Sequence, residues 1–325
     1  MKTFHNPVSP FDAPDPFMTY DPDTGYYYAL FTRGSRLELF RSRHAGSIVT
    51  VADSKIIVTA DGENNIWGDI WAPEMHHAPN GLWYIYTSCR VTKEPGQKRL
   101  IIFGSVTADP FGDWQFCGFP TPDIFSIDPT VYTDHRGQQY ICYSRVDAKR
   151  GQVLDIRPLV TPYTFGEPCA MIAYAEYDWE LVPPYDRSPI NEGAFFVEQG
   201  ERLYIVYSGN GCWADDYCLG VLEFTGRPGN VSDMCSADCW KKHPAPIFEK
   251  GNGVFGPGHA SFFRSPDGTE LWCAYHGMKQ TNPTVTGAPR YFNIQKIEFD
   301  REDFFVPAIP CGYECEITPP AGEAD

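Results

Sequence analysis

Four carboxylates and a histidine stand in matching surroundings along the chain. Asp15, Glu74, Asp128, Glu192 and His259 each head a short apolar stretch, followed by a turn glycine and an aromatic-rich stretch. Two carboxylates facing each other across a small pocket can hydrolyse a glycosidic bond. The protonated one gives its proton to the leaving oxygen, and the ionised one activates water on the opposite face. Room for that water sets the pair roughly 6.5–9.5 Å apart and gives inversion. A third carboxylate can keep the acid protonated through like-charge repulsion. Asp15, Asp128 and Glu192 supply the number of groups this chemistry needs.

Such groups meet only if the elements that carry them converge. The clearest unit, SIDPTVYTDHRGQQYICYSR from Ser126, alternates in apolar character, turns at Asp134-His135-Arg136-Gly137 and resumes at Tyr140. It reads as two strands joined by a tight glycine-containing loop. Related units begin at Ala13, Trp71, Ile190 and Pro257, with turn glycines at Gly25, Gly81, Gly200 and Gly268, and their heads lie 54 to 67 residues apart. A strand-only repeat of this size implies a four-stranded blade. Five copies predict an all-β, five-bladed β-propeller, one domain over residues 1–325 with residues 311–325 as a loose tail. Equivalent positions of a radial array converge on its axis, so the five heads are expected to ring one central pocket. Unpaired buried carboxylates are costly, which makes the heads poor candidates for simple packing. Tyr291–Phe299 alternates with period two and is expected to pair with N-terminal residues, closing the ring and removing an exposed edge.

Composition narrows the functional classes. The net charge of −16 argues against nucleic acid and anionic membrane surfaces as partners. No run of 18 apolar residues suggests a membrane span. Aromatics make up 15% of the residues, which fits both sheet-on-sheet packing and stacking on sugar rings. The N-terminal MKTFHNPVSPFDAPDPF lacks the apolar core of a signal peptide. The eleven cysteines, an odd number, are scattered among strand residues such as Cys89, Cys142 and Cys273. Together these predict a reducing, cytoplasmic location.

The motifs around the heads resemble those of glycoside hydrolase family 43. The carrying segments are Asp15-Pro16, Trp71-Ala72-Pro73-Glu74, Ile127-Asp128-Pro129, Asn191-Glu192-Gly193 and Gly256-Pro257-Gly258-His259, in order over the whole chain. The resemblance implies a five-bladed propeller that hydrolyses arabinans, arabinoxylans or xylosides with inversion. It implies Asp15 as general base, Glu192 as general acid and Asp128 as the group that orients the acid and tunes its pKa. It implies that Arg290 reaches substrate hydroxyls and that Trp71, with Phe17 beside it, offers a stacking face. Glu74 is expected to orient or bind substrate. His259 matches a histidine that in arabinan-cleaving members helps hold calcium through waters; the chemistry itself requires no cofactor. The expected partner is a pentose-containing oligosaccharide.

A compact chain without a C-terminal sandwich resembles the α-L-arabinofuranosidases and arabinanases of the family more than many of its xylosidases. The expected activity is therefore an exo-acting α-L-arabinofuranosidase, with β-xylosidase and endo-arabinanase as alternatives. Two other readings stand beside it: a retaining fructan-type enzyme, whose Asn-Asp-Pro, Arg-Asp-Pro and Glu-Cys motifs are not matched here, and a carbohydrate-binding propeller without catalysis. Sugar choice is expected to lie in the loops at Asn65–Trp71 and Tyr163–Pro189. Cys235, Cys239 and His243 are spaced like zinc ligands, with Cys212 or Cys218 as a fourth, though nothing in the pattern specifies which. His76 and His77 read as loop residues.

Overall fold

The structure, a computed structural model, describes residues 3–51, 53–121, 124–181, 189–281 and 288–324. Its strands form five antiparallel sheets taken in chain order. Blade one holds Phe17–Asp21, Tyr26–Leu30, Arg36–Ser42 and Asp53–Thr59. Blade two runs from Trp71–His77 to Trp114–Gly118, blade three from Ser126–Thr133 to Ala170–Ala173, and blade four from Asn191–Gln199 to Trp240–Lys242. Blade five holds Phe255–Arg264, Leu271–Met278 and Arg290–Ile297. The first strand of each blade touches the first strand of the next, and that of blade five touches that of blade one. The ring is therefore closed, and the five inner strands line its axis. Among the described residues the α-helical content is one turn, Val231–Met234.

Local chemistry explains the hairpins. All five repeat-turn glycines have φ between 58° and 82°, the left-handed region where a side chain would be strained. Asp134 shows how such a turn is fixed: its Oδ1 accepts the N–H groups of Arg136 and Gln138, both at 2.9 Å, in an Asx turn. Between blades, tyrosines do the packing. Tyr27, Tyr28, Tyr86, Tyr140, Tyr204 and Tyr207, among others, are wholly buried, so sheet-on-sheet contact accounts for much of the aromatic excess.

Closure occurs as expected, by the N-terminal segment running beside Arg290–Ile297. Val8 donates its N–H to the Phe292 carbonyl at 2.8 Å and Ala13 to that of Arg290 at 2.8 Å. Buried Asn6 acts as a backbone mimic, donating to the Ile294 carbonyl at 2.9 Å and accepting from its N–H at 3.0 Å. The C-terminal stretch departs from the expectation of a loose tail. Ile317 exchanges two backbone hydrogen bonds with Phe4, the Glu323 carboxylate accepts the Ala45 N–H at 2.9 Å, and Ala321 donates to Glu270 at 3.0 Å. These bonds draw residues 311–324 across the seam, because the backbone polar groups there find partners in blades one and five.

Candidate active site

Each inner strand enters the axis through one residue in left-handed conformation. These are Asp15 (φ 56°), Ala72 (45°), Asp128 (54°), Gly193 (54°) and His259 (48°). The ladder shifts register beside this point in blades two to five. For a non-glycine residue such a backbone costs about 1–2 kcal/mol. Strain of this kind persists where neighbours hold it in place, and here it turns Asp15, Asp128 and His259 toward the axis. The heads named from sequence are therefore not all equivalent. Glu192 precedes its left-handed residue by one position, and Glu74 follows its own by two.

Asp15, Asp128, Glu192 and His259 come together. One side-chain atom each from Asp128, Glu192 and His259 lie within 4.8 Å of one another, and His259 Nδ1 is 3.4 Å from Asp15 Oδ1. All four are buried. Asp15 is held on several sides: Thr32 Oγ1 donates to its Oδ2 at 2.6 Å, and Arg290 Nη1 donates to its Oδ1 at 3.1 Å. Thr32 in turn accepts the Ala72 N–H at 2.8 Å. Glu192 accepts from the Tyr217 hydroxyl at 2.9 Å and from Gln152 Nε2 at 2.6 Å. Asp128 accepts the Gly193 N–H at 3.3 Å.

These surroundings push the carboxyl groups in opposite directions. Burial raises the pKa of Asp15, but Arg290, then His259, outweigh it and hold the group well below the usual carboxylate range. Burial, then the charges of Glu192 and Asp15, raise Asp128 well above that range. Burial and the Asp15 charge push Glu192 up to about 7, against the opposing hydrogen bonds from Tyr217 and Gln152. Asp128 and Glu192 thus titrate as a pair that retains a proton where Asp15 is ionised.

Other expected site residues sit elsewhere. Phe17 is 3% exposed and packs in the axial channel, its ring 5.6 Å from His76 and 6.3 Å from Phe195; it offers no stacking face. It lies two residues beyond Asp15, as Glu74 lies two beyond Ala72, so each follows the left-handed residue of its strand. Glu74 is buried and bonded to His76 Nε2 at 2.7 Å. His76 and His77 belong to the strand Trp71–His77 rather than a loop, and period two puts His76 on the face of Glu74. The Trp71 ring has the Lys98 ammonium 3.8 Å from its centre, so one face is covered. Residues 182–188 of the Tyr163–Pro189 loop lie outside the described residues.

The spacing of Cys235, Cys239 and His243 does not make a metal site. Among the described residues the only metal-like group of three is Asp128, Glu192 and His259, while His243 Nε2 pairs with Glu223 at 3.1 Å and buried Cys235 belongs to a hydrophobic cluster. The Asp128–Glu192–His259 group does not fit a directly ligated calcium. It offers two carboxylates and an imidazole, where calcium takes six to eight oxygens, and an ion on Glu192 would oppose its retained proton.

Sequence reading did not single out Thr32, Gln152, Tyr217 or His276. They stand at the ends of second and third strands, brought in by cross-strand register and not by any local motif. Buried His276 Nδ1 lies 3.2 Å from the Asp15 backbone nitrogen and 3.3 Å from its Oδ1. Cys212 lies in the same electrostatic neighbourhood, and burial raises its thiol pKa, so it is protonated and unreactive.

Fold and site together define a class. The chain matches the family Glycosyl hydrolases family 43 over residues 4–305, and it belongs to that family. It is 29% identical over 313 residues to the extracellular exo-alpha-(1->5)-L-arabinofuranosidase of Streptomyces avermitilis, with 92% of this chain and 62% of that protein covered. The chain thus spans about three fifths of that relative's length. Among solved structures it is similar to an alpha-L-arabinofuranosidase from Lactobacillus brevis, with a TM-score of 0.85, 25% identity, and 96% and 98% of the two chains covered. A thermostable family-43 glycoside hydrolase shares the fold at a TM-score of 0.75 and 22% identity, with 96% and 100% covered. The extracellular relative overturns the cytoplasmic expectation. Cysteines such as Cys89, Cys142 and Cys273, free and buried in the structure, serve as small apolar packing groups and do not report the compartment.

Proposed function

We propose that the chain is an inverting, exo-acting α-L-arabinofuranosidase that releases pentose from arabino-oligosaccharides or arabinoxylan fragments outside the cell. What carries this reading is one buried pocket that holds Asp15 against Arg290 and Thr32 and gathers Glu192 with Asp128 beside it, with the carboxyl pKa values displaced in opposite directions, Asp15 down and Asp128 and Glu192 up. Such a split assigns acid and base. Protonated Glu192 gives its proton to the glycosidic oxygen as the C–O bond breaks. Ionised Asp15 takes a proton from the water that bonds to the anomeric carbon from the opposite face. Asp128 titrates with Glu192 as a pair, and the Asp15 charge keeps the acid's proton on that pair. The cycle ends with a proton on Asp15 and a charge on Glu192, and exchange with solvent resets both. This chemistry needs only the two carboxyl groups. The sugar, the exo mode and the extracellular setting are supported by the similarity to the extracellular exo-alpha-(1->5)-L-arabinofuranosidase and to the alpha-L-arabinofuranosidase from Lactobacillus brevis.

Proton NMR of the first-formed sugar from a nitrophenyl α-L-arabinofuranoside tests the mechanism. The inverted anomer is expected first; the retained anomer would point to a nucleophilic carboxylate instead. Asp15→Asn and Glu192→Gln should each lower kcat by about 10²–10⁴-fold. Arabino-oligosaccharides should yield arabinose alone at early times, whereas mixed short oligomers would mean endo action. Assay of culture supernatant against washed cells tests the location.

A further inference from the structure

Resting on this assignment of Asp15 and Glu192, we propose that His276 and Tyr217 form a strut that fixes the base and the acid relative to each other. The two rings are stacked, 5.4 Å between centroids and 5° from parallel. At one end, His276 Nδ1 accepts the Asp15 backbone N–H at 3.2 Å. At the other, the Tyr217 hydroxyl donates to Glu192 Oε1 at 2.9 Å. Both residues are 0% exposed, so neither ring can swing into solvent. Thr32 and Arg290 hold the Asp15 carboxylate, whereas His276 holds the strained backbone from which it projects. With Nδ1 as acceptor, the ring proton sits on Nε2, which has no partner among the described residues.

A second observation supports the strut. Gly258, just before His259 on the inner strand of blade five, has no need of a left-handed backbone. A Cβ there would meet the Tyr217 ring at 2.4 Å, against ring atoms that cannot bend away. The glycine is the space into which Tyr217 fits. His276 lies opposite Gly258 in the strand register, so one cross-strand pair seats both rings. His276 and Tyr217 are thus positioning residues: they touch the acid and the base and act through them.

The test compares His276→Phe, His276→Asn, Tyr217→Phe and Gly258→Ala on two aryl arabinofuranosides, one with an ordinary nitrophenol and one with a far more acidic phenol. H276F keeps a ring to stack but cannot accept the Asp15 N–H. Its kcat should fall about a hundredfold, as for a displacement near 1 Å, with KM changed less than threefold. H276N places an oxygen near the position of Nδ1 and should recover about tenfold of that loss. An acidic leaving group needs little help from the acid but still needs the base. The acidic phenol should therefore restore most of the Y217F defect and little of the H276F defect, a split that general loosening of the fold would not produce. Wild-type kcat in folded H276F, or equal restoration of both variants, overturns the strut. Should H276F fail to fold, G258A carries the test: a tenfold or larger loss of kcat at constant KM supports the strut, and unchanged kcat overturns it. D15N and E192Q run as controls, and if they keep wild-type turnover the functional reading itself falls, whatever the strut variants do.

Discussion

Arg290 Nη1 and Asp15 Oδ1 lie 3.1 Å apart, although 275 residues separate them in sequence. This contact bridges the seam between blades five and one. It is also the largest of the influences that lower the Asp15 pKa. The sign of its effect on activity follows. Asp15 acts as a base only when ionised, so activity is present above its depressed pKa and lost as pH falls through it. Glu192 acts only when protonated, so activity is lost as pH rises through about 7. The profile of kcat/KM against pH should be a bell with a far acidic limb and an alkaline limb near neutrality. Arg290→Met should move the acidic limb up by about 1–3 units and the alkaline limb up by less, since Arg290 is among the smaller of the influences on Glu192. An acidic limb that does not move in R290M would separate this ion pair from the base.

Glu74 makes a contrasting case. It is a buried carboxylate whose pKa burial raises, with His76 opposing, and its carboxylate is bonded to His76 Nε2 at 2.7 Å. Glu74→Gln keeps the shape and a hydrogen bond to His76. Its kcat is expected within about tenfold of wild type, far from the 10²–10⁴ expected for a proton-transfer residue. A loss as large as that of E192Q would return Glu74 to the chemistry.

Behind the acid lies a buried ion pair. Lys242 Nζ is 2.6 Å from Glu180 Oε1, and Glu180 is 0% exposed. The same carboxylate oxygen accepts from Asn191 Nδ2 at 2.8 Å and the Tyr207 hydroxyl at 2.9 Å, so the pair anchors the residue preceding Glu192. Lys242→Met leaves an uncompensated charge in the interior and should cost about 3–5 kcal/mol, read from denaturant unfolding. A change below 1 kcal/mol would show that the pair is not held as described.

The closing seam is measurable in the same way. Asn6→Ala removes both side-chain bonds to Ile294 and leaves buried backbone groups unpaired, at a cost of about 2 kcal/mol. Thermal melting and kcat measured together should show lower stability with near-normal turnover in the folded fraction.

The repeat was legible because strand alternation and turn glycines are local features. Asp15, Asp128 and His259 were legible because each occupies the same left-handed turn of its blade. Glu74 stands two residues beyond the left-handed Ala72, out of register with Asp15, Asp128 and His259, and Phe17 is buried against His76 and Phe195; spacing by blade reveals neither. His76 could have been placed on the face of Glu74 by strand alternation. Tyr217 and His276 carry no local signal: their positions depend on cross-strand pairing and on the room left by Gly258. Arg290 was found by motif, but its grip on Asp15 exists only once the ring is shut.

That last point reaches into biosynthesis. The groups from outside its own blade that face Asp15 most closely, Arg290, His259 and His276, all lie in blade five, which is made after the other four. A nascent chain bearing four finished blades has Asp15 but neither Arg290 to hold its carboxylate nor His276 to hold its backbone. The pocket is therefore assembled only once blade five closes on blade one, and the base gains its fixed position last.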